Sequence, residues 1–328
     1  MTRRWLAAGS AVILVLGYLS WRGAPAPTPA PGAAVGQDPA GSARVDDPAL
    51  YKRAFHPSRL YLPTLIEKFE DQYFIVDSYN NRVLFSDALD APITAWKTLD
   101  DALSRPHSIA ADGQWFVVDD TDADRINVYA RDGDEFRRVQ HINGLGRRPH
   151  RVLYDPPTQA FFVLASESQH ISRLKAGSEG LVVEHTRHLE FLRGAYTRSM
   201  AIIGDRMFFV SGPGAVSVVD HRDGDYAVLE TIPVPRRYAS MNDIARIQGN
   251  FYLTATMNRM ARCASLTELR EDRCESVYES FGLRGNPYYF SRFDGRVFLG
   301  EVAGRDAILA FEANADGLRL ADILYARR

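Results

Sequence analysis

Two histidines, His107 and His150, stand 43 residues apart in the same tripeptide, Arg-Pro-His. Imidazole titrates near neutral pH and ligates metals. A pair brought together offers a general acid and base, or two metal ligands. Two carboxamides further along, Asn242 and Asn286, would add oxygen donors. The four side chains point to one divalent metal, with Zn suited to the imidazoles and Ca to the oxygens. Arg105, Arg148 and Arg198 precede or sit among the same positions. Their planar forks match carboxylate or phosphate groups. Tyr79 and Tyr288 supply faces on which a sugar ring can stack. Each set has a plainer reading. The histidines can hydrogen-bond strand starts, and the arginines can pair with Asp119, Asp120, Asp122, Asp124 and Glu167. The tyrosines can serve as ordinary packing.

These residues are far apart in the chain, so a particular architecture must gather them. RPHSIAADGQWFVVDDTDADRINVYARDG, from Arg105, reads as three short strands with a tight Asp112-Gly113 turn. A fourth strand follows near Phe136–His141. The same phrase starts again at Arg148. Weaker copies bring the starting positions to Pro63, Pro106, Pro149, Ser199, Asn242 and Pro287, at intervals of 43, 43, 50, 43 and 45 residues. A period in the forties marks four-stranded units, which bury their faces by stacking around an axis. The prediction is an all-β protein, a six-bladed β-propeller of four-stranded antiparallel blades over residues 56–328. A β-sandwich with regular turns is the alternative, but it gives no reason for Arg-Pro-His to recur at fixed phase. In a propeller, the loop opening each blade and the loop between its second and third strands share one face around the axis. The candidate residues converge there.

Ahead of the repeats, Arg3 and Arg4 precede Trp5–Trp21, seventeen residues without a charge. That length fits a short membrane span or a signal-peptide core. Arg22 and the prolines at 25 and 27 favour an uncleaved signal anchor over 1–22. The basic N-terminus would stay cytoplasmic, placing the propeller on the periplasmic or other extracytoplasmic side. Residues 23–55 open with a Pro/Ala/Gly-rich stretch and read as a linker. Cys263 and Cys274 flank a turn in the fifth unit. In an oxidising compartment they are expected to form a disulfide. Net charge is −2, which gives no sign of nucleic-acid binding. A phosphate-binding glycine loop, a serine nucleophile elbow and a His-Glu-x-x-His helix are all missing from the sequence.

YFIVDSYNNRVLFSD, from Tyr73, resembles the Asp-x-x-Asn-x-Arg-Val phrase of NHL-type six-bladed propellers. The resemblance covers residues 58–328 and is clearest in the first three units. Arg-Pro-His-Ser-Ile is similar to the blade openings of peptide-amidating lyases, which implies zinc-binding histidines on the axis. Asn-Asp-Ile at 242–244, with Asn286, resembles calcium-dependent lactonases of the paraoxonase and gluconolactonase type. That likeness implies asparagines holding a cation, with His107 matching a histidine near the metal. The third axial histidine of the lyases has no counterpart. The acid that opens the first lactonase blade has only Glu67 near it, late on its strand.

The leading expectation is a membrane-anchored propeller binding an anionic or glycan-like small-molecule ligand in its axial mouth. The alternatives are a metal-dependent hydrolase or lyase using His107, His150, Asn242 and Asn286, and a scaffold for other envelope proteins.

Overall fold

The computed structural model describes residues 56–212 and 214–326. The expected anchor (1–22) and linker (23–55) lie outside the described residues. No helix among those described is long and apolar enough to cross a membrane. Six four-stranded antiparallel sheets follow one another along the chain, each with its strands in consecutive order. Their innermost strands are Pro63–Phe69, Ile109–Ala111, Pro149–Asp155, Tyr196–Ile203, Met241–Ile247 and Asn286–Phe293.

The strand sequences explain the radial arrangement. Second strands such as Ala160–Ala165 (AFFVLA) are apolar throughout and buried at every residue. Continuous rather than alternating hydrophobicity is what a sheet covered on both faces requires. Outermost strands such as Leu181–His188 bury only their first residue fully. Apolar side chains fall into six clusters; five join two neighbouring blades, and one, around Leu65, Phe116 and Tyr289, joins the first, second and sixth. One of them, with Ile66, Ile75, Leu84, Phe298, Ile308 and Ala310, joins the sixth blade to the first and closes the ring.

Among the described residues closure involves no exchanged strand. Lys68 and Tyr73 of the first blade instead bind Asp294 of the sixth at 2.7 and 2.8 Å. Gly300 packs so tightly that a Cβ there would lie 2.6 Å from the Pro63 carbonyl oxygen, which excludes any side chain.

Cys263 and Cys274 are joined, as expected, with their Cα atoms 4.6 Å apart. The segment between them holds a short helix, Leu266–Arg270, where the sequence suggests only a turn. Ser265 caps it by accepting from the Glu268 N–H, and Glu268 in turn accepts from the Ala264 N–H.

Candidate functional site at the axial mouth

One local device aims side chains at the axis. Where an innermost strand starts, it gains one residue on its partner, a β-bulge, and the extra side chain is redirected. Pairing skips Thr64 in the first blade, His150 in the third, Arg198 in the fourth and Asn242 in the fifth. The sixth blade has the same irregularity at Tyr288 and Tyr289. His107 lies at the matching place, two residues before the Ile109–Val118 pair. Asn286 precedes its bulge and accepts from the Asn258 N–H at 3.0 Å, so the bulge residues of that blade are the tyrosines. The sequence predicts Asn286 for the axis because a bulge shifts phase without leaving a signature in residue type.

His107 and His150 meet face to face, with ring centroids 3.9 Å apart and planes 23° apart. Tyr288 stacks over His107 at 6.1 Å, and its hydroxyl lies 3.5 Å from His150 Nε2. The Thr121 hydroxyl lies 2.6 Å from Asp119 Oδ2 and 2.7 Å from the Pro149 carbonyl. Its single hydrogen goes to one of those oxygens, so the His107 Nδ1–H donates to Thr121 Oγ1 at 2.9 Å. The lone pair is therefore on His107 Nε2, which has no partner among the described residues. Tyr289 donates to the Arg198 carbonyl at 2.9 Å, and the His150 Nδ1–H donates to Tyr289 at 2.7 Å.

Both imidazoles are held well below their usual pKa, first by burial. For His107 the next causes are His150 and the cations Arg148, Arg105 and Arg198. For His150 they are Arg198 and Arg148. The rings are neutral at pH 7. Asp119 accepts from the His107 and Ser108 N–H groups and from the Ser108 and Thr121 hydroxyls. Burial still outweighs those donors and raises its pKa to about 6.

The arginines divide into two kinds. Arg105 and Arg148 both pair with Asp122. They occupy left-handed backbone (φ 51° and 57°) just before Pro-His. Each is held there by a side chain of the preceding blade, Asn81 or Asp124, accepting from its N–H. Arg198 is different. Its guanidinium donates to the neutral Asn242 amide at 3.0 Å and lies 5.7 Å from the Tyr196 ring centre. Among the described residues no carboxylate pairs with it. It lines a cleft of about 280 Å³ together with Tyr196, Gly212, Ala239, Ser240 and Met241. Tyr79 is near this face, with the Arg105 guanidinium 5.9 Å from its ring centre.

The Asp-x-x-Asn-x-Arg phrase is scaffold. Asp77 accepts from the Tyr61 N–H and from Asn80 and Arg82. Asp120 does the same with Ser104, Arg125 and Asn127.

As a cation site the four predicted ligands do not converge. Asn242 spends its oxygen on Arg198 and its nitrogen on the Pro287 carbonyl at 2.8 Å. Asn286 serves the loop. No cluster of three His, Cys, Asp or Glu suited to a metal occurs among the described residues. Two imidazole nitrogens remain, fewer than the four protein ligands a structural zinc takes.

No protein-family model and no curated protein matches the sequence. Solved structures do share the fold. A candidate 6-phosphogluconolactonase from Bacteroides fragilis matches with TM-score 0.58 at 14% identity, over 79% of this chain and 82% of that one. A second, from Bacteroides uniformis, gives 0.56 at 14% identity over 77% and 80%. Hydrazine synthase of Kuenenia stuttgartiensis gives 0.55 at 14% identity over 81% and 87%. At this identity the likeness is one of fold, and the fold carries unrelated chemistries.

Proposed function

We propose that this protein binds a small anionic ligand, a carboxylate- or phosphate-bearing sugar or similar molecule, at the axial mouth of the propeller. The observation that carries the reading is Arg198, a half-buried cation whose only described polar partner is neutral, placed on the wall of a cleft. A guanidinium in that setting has hydrogen bonds to give to an oxyanion. Tyr196 and Met241 offer the ligand an apolar wall. The paired Arg105 and Arg148 add positive potential without needing to touch the ligand. The N-terminal apolar run and the Cys263–Cys274 bridge support a membrane-anchored, extracytoplasmic setting.

Calorimetric titration of the full chain with hexuronates, aldonates and sugar phosphates tests this. Binding by wild type and a loss of about tenfold or more in Arg198→Ala is the expected result. Equal affinity in Arg198→Ala rejects the assigned mouth. A metal-dependent hydrolase, the second reading, rests on the two stacked imidazoles, with ring centroids 3.9 Å apart. Elemental analysis of protein purified without chelator separates the two, since a metal-free protein indifferent to added Ca or Zn sinks the hydrolase.

A further inference from the structure

The axial side chains form a relay from each blade to the opening of the next. The Thr64 hydroxyl donates to the His107 carbonyl at 2.8 Å. His107 stacks on His150, and His150 Nδ1 lies 3.1 Å from the Arg198 carbonyl. Arg198 donates through Nη1 to Asn242 Oδ1 at 3.0 Å, and Asn242 Nδ2 donates to the Pro287 carbonyl at 2.8 Å. The last two links fix the sense of the amide. A carbonyl only accepts, so the amide nitrogen must face Pro287 and the amide oxygen must face Arg198. Asn242 is 0% exposed, so no water competes for either end.

Asn242 thus takes one of the five N–H groups of Arg198, on Nη1. Nε and Nη2 bond to nothing among the described residues. Those two nitrogens are the side-on fork of a guanidinium, which matches two oxygens of one oxyanion. The charge also stays open. Arg105 and Arg148 share the Asp122 carboxylate and are partly discharged by it. Asn242 receives a hydrogen bond of similar length from Arg198 and brings no charge. A carboxylate in its place would compete with any anionic ligand for the guanidinium.

We propose that Asn242 is the positioning residue of the axial site. Its neutral amide holds Arg198 by Nη1 and leaves the Nε and Nη2 fork, with its charge, to the cleft that Arg198 lines. The ligand oxyanion is then held by two parallel hydrogen bonds. This rests on the reading of the Arg198 cleft given above.

Calorimetric titrations of the full chain with glucuronate and gluconate test it, comparing wild type, Arg198→Ala, Asn242→Ala and Asn242→Asp. Asn242→Ala leaves the cation but removes its guide, whereas Asn242→Asp supplies a counter-charge. At pH 8 the expected order of affinity is wild type, Asn242→Ala, Asn242→Asp, with the last about tenfold or more below wild type. A pH profile separates charge from shape. A carboxyl group buried here beside an arginine resembles Asp77 beside Arg82, which burial raises to about 6. Once protonated, it donates to Pro287 and accepts from Arg198 as the amide does. The Asn242→Asp deficit, taken against wild type at each pH, should therefore shrink from pH 8 to pH 5, and the Asn242→Ala deficit should not. Asn242→Asp binding as tightly as Asn242→Ala at pH 8, or a deficit indifferent to pH, overturns the proposal. Asn242→Ala reports even if Asn242→Asp does not fold, since wild-type affinity in it removes the positioning role. Where Arg198→Ala loses binding in the same series, only the role of Asn242 falls. Where wild type binds neither probe, or Arg198→Ala binds as wild type does, the reading of the cleft falls and the role of Asn242 with it.

Discussion

His107 lies flat against His150, 3.9 Å between centroids, although 43 residues separate them and neither ring carries a charge. Two imidazolium ions could not share this contact, and the arginines around it add to the resistance. The folded chain therefore binds these two protons less readily than the unfolded chain. A folded pKa below the unfolded value of about 6.5 means the stability it contributes is complete above that pH and falls as pH drops. Urea unfolding at pH 7.5 and pH 5 is expected to show a shallower acid loss in His107→Asn than in wild type. Equal losses in the two proteins would show that the stack does not resist protonation.

Glu67 has the opposite sign. Its folded pKa, about 7, exceeds the ordinary 4.5. The stability this contributes is complete below 4.5 and is lost as pH rises through 7. Glu67→Gln removes that penalty. The variant is expected to gain about 2 kcal/mol on wild type between pH 5 and pH 8, after allowance for the partial exposure of the group. A difference that does not change with pH would mean Glu67 ionises freely.

The Cys263–Cys274 bridge closes a loop of 11 residues at the outer edge of the fifth blade. A loop of that size stabilises by about 3 kcal/mol through the unfolded chain. Reduction, or the Cys263→Ser, Cys274→Ser double variant, should lower the melting temperature by several degrees without opening the ring. The Glu275–Ser276 strand is only two residues long, so its amides should exchange faster in the reduced protein. Unchanged exchange there would assign the bridge no local role.

The repeat was legible from residue types alone. Pro-His at 106 and 149, the apolar second strands and the intervals near 43 are enough for six radial sheets, since local hydrogen bonding and two-sided burial leave such segments few alternatives. The disulfide was legible too, because eleven residues and two cysteines permit one pairing. The strand read near Phe136–His141 spans Glu135–Asn143, one residue longer at its start and two at its end.

What tertiary structure alone decided is which of several look-alike side chains face the axis and which stay unsatisfied there. Asn286 and Tyr288 differ by two positions, and only the bulge between the first two strands of that blade makes the tyrosine axial. Arg105, Arg148 and Arg198 look equivalent in sequence. Asp122 pairs with the first two, while Arg198 finds an amide, and that depends on which loop stands beside which. In sequence, Arg151 is one strand arginine among many and Glu67 an acid late on its strand. Neither is unusual until ring closure sets strands 84 residues apart across a common centre. Local pattern specifies the blades because each one is stabilised mostly by its own neighbours in sequence. The axis belongs to no single blade, so its chemistry exists only once all six are assembled.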